Sequence, residues 1–339
     1  MKLRAWRLSF TALVREVAAV SEAVLSWVGN CSKKNSTLSR RDVTLVAKRR
    51  GCELLIKNMP FYCIMTFMIL TFAGILTRII SNSYLNVFQK ILTNKGQNSS
   101  AINLYTYLGL CLICVWFLSF FSLSILPLVL LMGCLGALGN YFIIKALSIG
   151  ELSTLAPINS YKPVVALIFG IFYLKEIPSL SSLVAIFLII LGTYFILDIK
   201  QGKTNIKAIV YRVIALVCSG SEAVIIKKII VLTNALDCFI LWAISGFIFS
   251  FIFVLFSGKK PEIKSYKYQL FLIFAVGIMQ YSTNFVFARM NVSYALALFQ
   301  LSTLLSVFLG ANIFKEKNLK NKIIGSVIMV IGAVILILG

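Results

Sequence analysis

"GIFYLKE", residues 170 to 176, returns 140 residues later as "GANIFKE", residues 310 to 316. Both stretches begin with a glycine and end on a lysine–glutamate pair. Each is followed by an apolar segment with a glycine at the same distance, Gly192 in the first and Gly332 in the second. Landmarks that recur at a fixed offset indicate an internal repeat. The sequence therefore predicts a chain built from two related copies.

The repeat extends to the segments that precede these stretches. An offset of 138 pairs Ser81, Ser83 and Lys90 with Ser219, Ser221 and Lys228, and it places Tyr84 opposite Glu222. An offset of 144 pairs Gly133, Asn140 and Lys145 with Gly277, Asn284 and Arg289. Each copy contains five apolar segments, and because five is odd the second copy must cross a membrane in the opposite sense. Such inverted-topology repeats bind their solute near the midplane, at the interface of the two copies.

The composition is that of an integral membrane protein. Of the 339 residues 60% are hydrophobic, the mean hydropathy is +0.94, and 13% are charged, against roughly 25% in soluble domains. The net charge of +22 arises largely from basic residues between apolar runs, where they act as topology signals, so we expect no nucleic acid partner. The chain has no histidine, the commonest metal ligand and general base, and we expect neither a metal nor another cofactor.

Apolar runs of about 20 residues are long enough to cross a bilayer. The predicted fold class is an all-α integral membrane protein with ten transmembrane helices arranged as two inverted five-helix repeats. The ten predicted helices cover residues 65–90, 102–121, 125–144, 152–174, 180–197, 208–226, 237–257, 269–288, 292–314 and 322–338. The predicted domains are a first repeat at 58–198 and a second at 199–339.

Residues 1–57 form a separate basic segment, which contains seven of the ten arginines. One interpretation is an annotated start placed too far upstream, with Met59 or Met65 as the true start. The others are an Arg-rich amphipathic targeting region and a cytosolic basic tail. The segment is left out of the fold prediction.

Five plus five helices, closing on "LKE" (174 to 176) and "FKE" (314 to 316) before a glycine-containing apolar helix, resemble the EamA-domain branch of the drug/metabolite transporter superfamily. The resemblance covers about residues 65 to 338. It implies a transporter of small molecules in a lipid bilayer, mostly the bacterial inner membrane, with helices 1, 3, 4, 6, 8 and 9 lining a central cavity. A homodimer is compatible with it but not required. The charge distribution and the resemblance disagree on the side of the termini, which stays open.

The fourth predicted helix contains the stretch "LAPINSYKPVVALIFG", residues 155 to 170. Lys162 lies about ten residues from either end of this helix, too far for its side chain to reach the membrane surface, so we expect it to face a wet cavity. Pro157 and Pro163 break the helix, and Pro163 frees the carbonyl of Asn159. Asn159, Tyr161 and Lys162 are therefore candidate substrate contacts. The alternative is a lysine paired to another helix for packing.

Two further charges lie within predicted helices, Arg78 in the first and Glu222 in the sixth. We expect Arg78 to face the same cavity. Glu222 either lines it, with Tyr84 at the equivalent position of the other copy, or bonds to the nearby Lys227 or Lys228. The remaining candidates are Asn140 and Asn284, either as substrate contacts or as hydrogen bonds between helices.

These residues favour a secondary transporter driven by a gradient. Arg78 and Lys162 would hold an anionic group, such as the carboxylate of an amino-acid-like metabolite, while Glu222 balances charge or carries a proton. A transporter of nucleotide sugars or phosphorylated sugars is a variant of this hypothesis. The other class is an intramembrane enzyme with Glu222 and Lys162 as acid and base. The repeat favours transport, because alternating access uses two pseudo-symmetric halves.

Overall fold

A computed structural model describes residues 61–118, 123–162, 164–165, 180–196, 205–258, 260–290, 292–316 and 319–338, and over these ranges the regular structure is helical throughout. The predicted N-terminal segment, residues 1–57, and Pro163 lie outside the described residues. By its contacts the chain divides into Met1–Met68 and Ile69–Gly339. The packing reported below lies within the second unit.

Helical segments lie within all ten predicted ranges. The α-helices of the described residues are α1 (Phe61–Asn94), α2 (Ser99–Cys114), α3 (Leu126–Ile149), α4 (Leu152–Leu155), α5 (Leu180–Ile196), α6 (Ile206–Leu232), α7 (Ala235–Ser257), α8 (Tyr266–Arg289), α9 (Val292–Phe299), α10 (Leu301–Phe314) and α11 (Leu319–Leu338). Six of the described helices are long and apolar enough to cross a membrane, namely α1, α2, α3, α6, α7 and α8.

Polar residues and glycine set several helix ends. The side chain of Asn205 accepts a hydrogen bond from the backbone N–H of Lys207 at the start of α6, 3.0 Å away. Asn234 does the same for Asp237 at the start of α7, at 2.8 Å. Both satisfy a backbone donor that has no partner within its helix. Gly258 ends α7 with φ +61°, a left-handed conformation that glycine adopts without strain.

Two predicted helices are interrupted in the structure. The helix expected over 152–174 begins with the four residues of α4 and continues as a 3₁₀ helix over Ala156–Tyr161, with Pro157 as its second residue. The helix expected over 292–314 is divided at Gln300 into α9 and α10. The break predicted at Pro157 is present as the change from α-helix to 3₁₀ helix, whereas the continuous helix predicted around Gln300 is wrong. Both interruptions lie beside the cavity described below.

The pairing of α5 with α11 is reciprocal between the copies. A Cβ added at Gly192 would meet the carbonyl oxygen of Gly325 at 2.6 Å and the backbone nitrogen of Met329 at 2.9 Å. A Cβ added at Gly332 would meet Ala185 and Ile189 at 2.8 to 3.1 Å. Ala185 and Ile189 precede Gly325 and Met329 by 140 residues. The offset of 140 predicted for this part of the repeat is thus confirmed, and close helix contact explains both glycines.

Helix ends from both copies meet on one side of the molecule, here called the Gly150 side. The Nζ of Lys90, near the end of α1, donates to the carbonyl oxygens of Leu147 and Gly150, each at 2.6 Å. Asn205, before α6, donates to the carbonyl of Ile149. Gln97, after α1, donates to Gln269, near the start of α8, at 2.9 Å. Thus α1 and α3 end where α6 and α8 begin.

The opposite side repeats this arrangement and corrects two predicted offsets. Lys227, near the end of α6, donates to the carbonyl oxygens of Phe287 and Met290, as Lys90 does to those of Leu147 and Gly150. The structural counterpart of Lys90 is therefore Lys227, at an offset of 137, and the predicted pairing with Lys228 is wrong by one residue. The bounds of α3 and α8 differ by 140, so the predicted offset of 144 is wrong by one helical turn.

Candidate functional site

A central cavity opens between the helices of the two copies, with about 860 Å³ of empty volume including its mouth. Five helical regions contribute its polar lining. These polar side chains are Arg78, Asn82 and Asn86 of α1, Asn140 of α3, Asn159 and Lys162 at the 3₁₀ helix, Arg212, Ser219 and Glu222 of α6, and Gln280 and Thr283 of α8. Aromatic rings of α2, α7, α8 and α9 complete the wall: Tyr107, Trp242, Phe287 and Phe299.

The lining follows the repeat at the corrected offsets. The lining residues of α3 are Gly136, Gly139, Asn140 and Ile143. Those 140 residues later, Val276, Met279, Gln280 and Thr283 of α8, also line the cavity, and α8 adds Phe287. In α1 and α6 an offset of 137 pairs Asn82, Leu85 and Asn86 with Ser219, Glu222 and Ala223. Equivalent faces of equivalent helices therefore form the two halves of the cavity.

Five of the eight predicted contact residues line this cavity, and three do not. Those that line it are Arg78, Asn140, Asn159, Lys162 and Glu222. Tyr84 is 43% exposed and lies 6.3 Å from Phe88 between ring centroids, so its predicted place in the cavity wall is wrong. The residue that matches Glu222 is Leu85. Tyr161 is half-buried and packs against the apolar clusters that contain Leu155 and Met329.

Asn284 lies next to the cavity rather than in its lining. It is fully buried, accepts a hydrogen bond from Gln280 at 3.0 Å, and donates to the carbonyl of Ala235 at 3.3 Å. It therefore joins α8 to the start of α7, as the hydrogen-bond alternative predicted. The counterpart of Asn140 at the offset of 140 is Gln280, and the predicted pairing of Asn140 with Asn284 is wrong.

Asn140 belongs to a buried polar network between helices, in line with the hydrogen-bond alternative. Its side-chain oxygen accepts from Gln89 at 2.9 Å, and its side-chain nitrogen donates to the oxygen of Asn103 at 2.7 Å. Asn103 in turn donates to Ser250 at 2.9 Å. The network joins α1, α2, α3 and α7, and it fixes the orientation of the Asn140 amide at the cavity wall.

Arg78 is held in the wall by a hydrogen bond and an aromatic ring. Its Nε donates to the hydroxyl of Thr283 at 2.8 Å, and its guanidinium carbon lies 4.7 Å from the ring centroid of Phe299. The side chain is buried, yet within the described part of the chain its Nη1 has no hydrogen-bond partner. A buried guanidinium with an unused donor is a candidate anion contact.

The carboxylate of Glu222 occupies a place prepared by two other residues. Its Oε1 accepts from the indole nitrogen of Trp242 at 2.6 Å. Gly136 faces the same oxygen, and a Cβ added there would collide with Oε1 and meet the indole nitrogen at 3.0 Å. The alternative in which Glu222 bonds to Lys227 is wrong, because Lys227 donates to backbone carbonyls of α8. The absence of a side chain at Gly136 therefore makes room for the carboxylate of Glu222.

Lys162 follows the 3₁₀ helix, and the break there differs in detail from the prediction. The carbonyl of Asn159 accepts from the backbone N–H of Lys162, a 3₁₀-type bond that replaces the donor lost at Pro163. The Lys162 side chain interacts electrostatically with Arg78, Arg212 and Glu222. Among the described residues the recorded ion pairs, Lys264–Glu262 and Lys322–Glu151, lie elsewhere. Its ammonium therefore faces the cavity without a salt bridge.

Arg212 is a cavity residue that sequence reasoning missed. It is 2% exposed, and its Nε donates to the carbonyl of Leu155 at 3.1 Å. Its position near the start of a predicted helix made it look like a topology signal at the membrane surface. In the structure α6 begins at Ile206, two residues earlier than predicted. Arg212 therefore lies six residues after the helix start, more than a turn inside the helix.

Comparisons with known proteins agree with this architecture. A model of the EamA-like transporter family matches the chain twice, at residues 70–198 and 206–338. Among solved structures, 27 chains are similar. One of them, described as "Crystal structure of protein", has a TM-score of 0.52 and 14% sequence identity over 80% of this chain and 96% of that chain. Such a likeness shows the fold alone. No curated protein matches the sequence.

Proposed function

Because the chain belongs to the EamA-like transporter family, whose members are membrane transporters of the drug/metabolite type, we propose that it carries a small anionic metabolite by alternating access. The observation that carries this proposal is the charge of the central cavity. Lys162, Arg78 and Arg212 contribute three cations, and Glu222 contributes the one carboxylate of the described lining. Charged groups inside a membrane domain are costly and mark solute pathways.

Each charged residue has a proposed role. Lys162 and Arg78 bind the anionic group of the substrate, since both are cationic and line the cavity, and the Nη1 of Arg78 has no hydrogen-bond partner in the described part of the chain. Glu222 balances the cationic charge or carries a proton during the cycle. Asn140, Asn159 and Gln280 are polar contacts for the rest of the molecule. The aromatic rings exclude water around it.

The directions of the helices support alternating access between two inverted copies. In the first copy α1 and α3 run towards the Gly150 side, and in the second copy α6 and α8 run away from it. We propose that the chain spans the membrane ten times, with the cavity at the interface of the copies. A cavity between such halves opens to either side when one half moves against the other. The bacterial inner membrane and the homodimer stay predictions.

The test is transport by the purified protein in proteoliposomes, with a panel of labelled carboxylates and amino acids. Lys162→Met keeps most of the side-chain length and removes the charge. We expect at least about a tenfold loss of transport with unchanged or higher thermal stability, because removing an unpaired buried charge relieves a cost of folding. Lys162→Arg should rescue only in part, since the broader guanidinium cannot release its proton.

The matched control is Lys264→Met, because Lys264 is exposed and its ion pair with Glu262 lies outside the cavity. This variant should transport normally. Normal transport by Lys162→Met of a substrate that the parent handles would contradict the proposed site. Conversion of a substrate into product by the protein in detergent, where there are no compartments, would revive the enzyme alternative.

A further inference from the structure

Two arginines approach the central cavity with the same unusual pattern of bonds. Arg78 donates from Nε to Thr283, and Arg212 donates from Nε to the carbonyl of Leu155. Both side chains are more than nine-tenths buried. In the described part of the chain the Nη1 of each has no hydrogen-bond partner. Each guanidinium is therefore fixed at one edge and keeps a buried, unpaired donor beside the cavity.

A guanidinium donor without an acceptor destabilises a protein when it is buried, and a carboxylate is a strong acceptor for it. A buried charged donor left without an acceptor destabilises the folded state. A carboxylate accepts two parallel hydrogen bonds from one guanidinium, which no neutral acceptor matches in strength or direction. Two such guanidinium groups at separate places in one cavity are best satisfied by a ligand with two separate anionic groups.

The two guanidinium groups also lie at different depths. Near the end of α1, Lys90 contacts Gly150, and Arg78 lies twelve residues earlier, about 18 Å by helical rise. At the start of α6, Asn205 contacts Ile149, and Arg212 lies seven residues later, about 10 Å. Both of these helix ends lie on the Gly150 side. A single compact anion at one level therefore reaches one arginine, while an elongated molecule with an anionic group at each end reaches both.

We propose that the substrate is a dicarboxylate that binds with one carboxylate at Arg78 and the other at Arg212. Lys162, which interacts electrostatically with both arginines, lies along the bound molecule. Three cations and the carboxylate of Glu222 leave two positive charges, which a dianion neutralises. A phosphate monoester concentrates its charge at one depth of the cavity, so it reaches only the arginine at that depth. This inference rests on the proposed function, in which the cavity is the transport site.

The experiment measures binding to the purified full chain in detergent by calorimetry at about pH 8, where both carboxyl groups are ionised. The probes are malonate, succinate, glutarate and adipate, with butyrate as the monocarboxylate of matching length to succinate, and glycerol 3-phosphate. We expect one dicarboxylate length to bind best, and at least about tenfold more tightly than butyrate. The parent protein alone suffices for this comparison.

Variants then locate the two carboxylates. Arg78→Gln and Arg212→Gln should each reduce the affinity for the best dicarboxylate to that for butyrate, while the affinity for butyrate changes less than the affinity for the dicarboxylate. Arg212→Lys keeps the charge without the planar fork and should retain part of the preference. Arg289→Gln, which removes an arginine outside the lining, is the control and should keep the full preference.

Three results would overturn the proposal. Equal affinity of the parent for butyrate and for every dicarboxylate, with both lost in Lys162→Met, would reject the second anionic group and leave the proposed function standing. Tighter binding of glycerol 3-phosphate than of any dicarboxylate would mean that the substrate carries one anionic group rather than two. Absence of binding by any of these anions, together with absence of their transport, would contradict both this inference and the proposed function.

Discussion

The fourth helix of each copy is interrupted beside the cavity, but the two interruptions present opposite chemistry. In the first copy the 3₁₀ helix presents Asn159 and Lys162 to the cavity. In the second copy α9, which ends just before Gln300, presents Leu296 and Phe299, also three residues apart. The wall thus carries a polar and charged pair on one side and an apolar pair on the other. At the offset of 140 the counterpart of Asn159 is Phe299, and that of Lys162 is the buried Ser302.

The same contrast holds between α1 and α6. At the offset of 137, Glu222 matches Leu85, Arg212 matches Ile75, and Arg78 matches Ala215. Each charge that α1 and α6 present to the cavity therefore has an apolar counterpart in the other copy. The repeat gives the cavity its pseudo-symmetric shape, and individual substitutions give it an asymmetric charge. An asymmetric charge distribution binds its substrate in one orientation, which a symmetric cavity cannot impose.

Exchanging the charge between the copies tests this contrast most severely. In the double variant Lys162→Phe with Phe299→Lys the cavity keeps its net charge, but the ammonium moves to the wall that holds Arg78. We expect transport to fall by at least about 30-fold, equivalent to about 2 kcal/mol. The displaced ammonium no longer contacts the bound anion, and it repels the guanidinium of Arg78. Initial rates in proteoliposomes measure the effect. Transport at the parental rate would show that the position of the charge is irrelevant.

Gly136 in the cavity wall and Gly220, which is not among the lining residues, allow a second test. Gly136→Ala places a Cβ against the carboxylate of Glu222, whereas Gly220→Ala meets only Val165, at 3.7 Å. We expect about a tenfold loss of transport for Gly136→Ala, because the carboxylate must leave its place beside Trp242. Gly220→Ala should transport normally and raise the stability by up to about 1 kcal/mol, since alanine favours the helix. Equal transport by both variants would contradict the role of Glu222.

A smaller effect is expected at the contact that holds the interrupted helix from outside. The carboxylate of Glu316 accepts from the backbone N–H groups of Leu152 and Ser153, both at 2.8 Å, at the start of α4. Glu316→Gln should lower the free energy of unfolding by about 1–2 kcal/mol, because a neutral amide accepts more weakly with its one oxygen. Transport should fall a few-fold as Asn159 and Lys162 shift.

Thermal unfolding in detergent measures the change in stability of the Glu316→Gln variant. Its control is Glu262→Gln, since Glu262 is exposed and pairs only with the neighbouring Lys264, and this variant should unfold like the parent. A stability of Glu316→Gln equal to that of the control would mean that other contacts hold α4, among them the ion pair of Lys322 with Glu151.

The smallest effect is expected at Tyr84, next in sequence to the true counterpart of Glu222. Tyr84 faces outward, so Tyr84→Leu should change transport by less than about twofold. Leu85→Asn, in contrast, introduces an amide into the buried position and should reduce transport. If Tyr84→Leu lost transport as strongly as Lys162→Met, the offset of 138 would be restored and the assignment of the α1 wall would be wrong.

The sequence by itself determined the membrane class, the two copies and the family, because these depend on composition and on landmarks that recur over hundreds of residues. It also pointed to Arg78, Lys162 and Glu222, since a charged side chain far from both ends of an apolar helix is accommodated mainly in a polar cavity. Their roles in transport stay predictions. The ten spans likewise stay a proposal supported by six long apolar helices.

Only the tertiary structure decided which side chains face each other, and the helical period explains why. A slip of one residue turns a side chain by about 100°, so an offset of 138 instead of 137 exchanged the exposed Tyr84 for the buried Leu85. A slip of four residues preserves the face and changes the depth by about 6 Å, so an offset of 144 instead of 140 matched Asn140 to Asn284 rather than to Gln280. Arg212 was missed for a related reason: whether a basic residue near a helix end reaches water or a cavity depends on what packs around it, here the carbonyl of Leu155. Periodicity in one sequence fixes which helices correspond, but the rotation and depth of each helix are fixed by its contacts with the others.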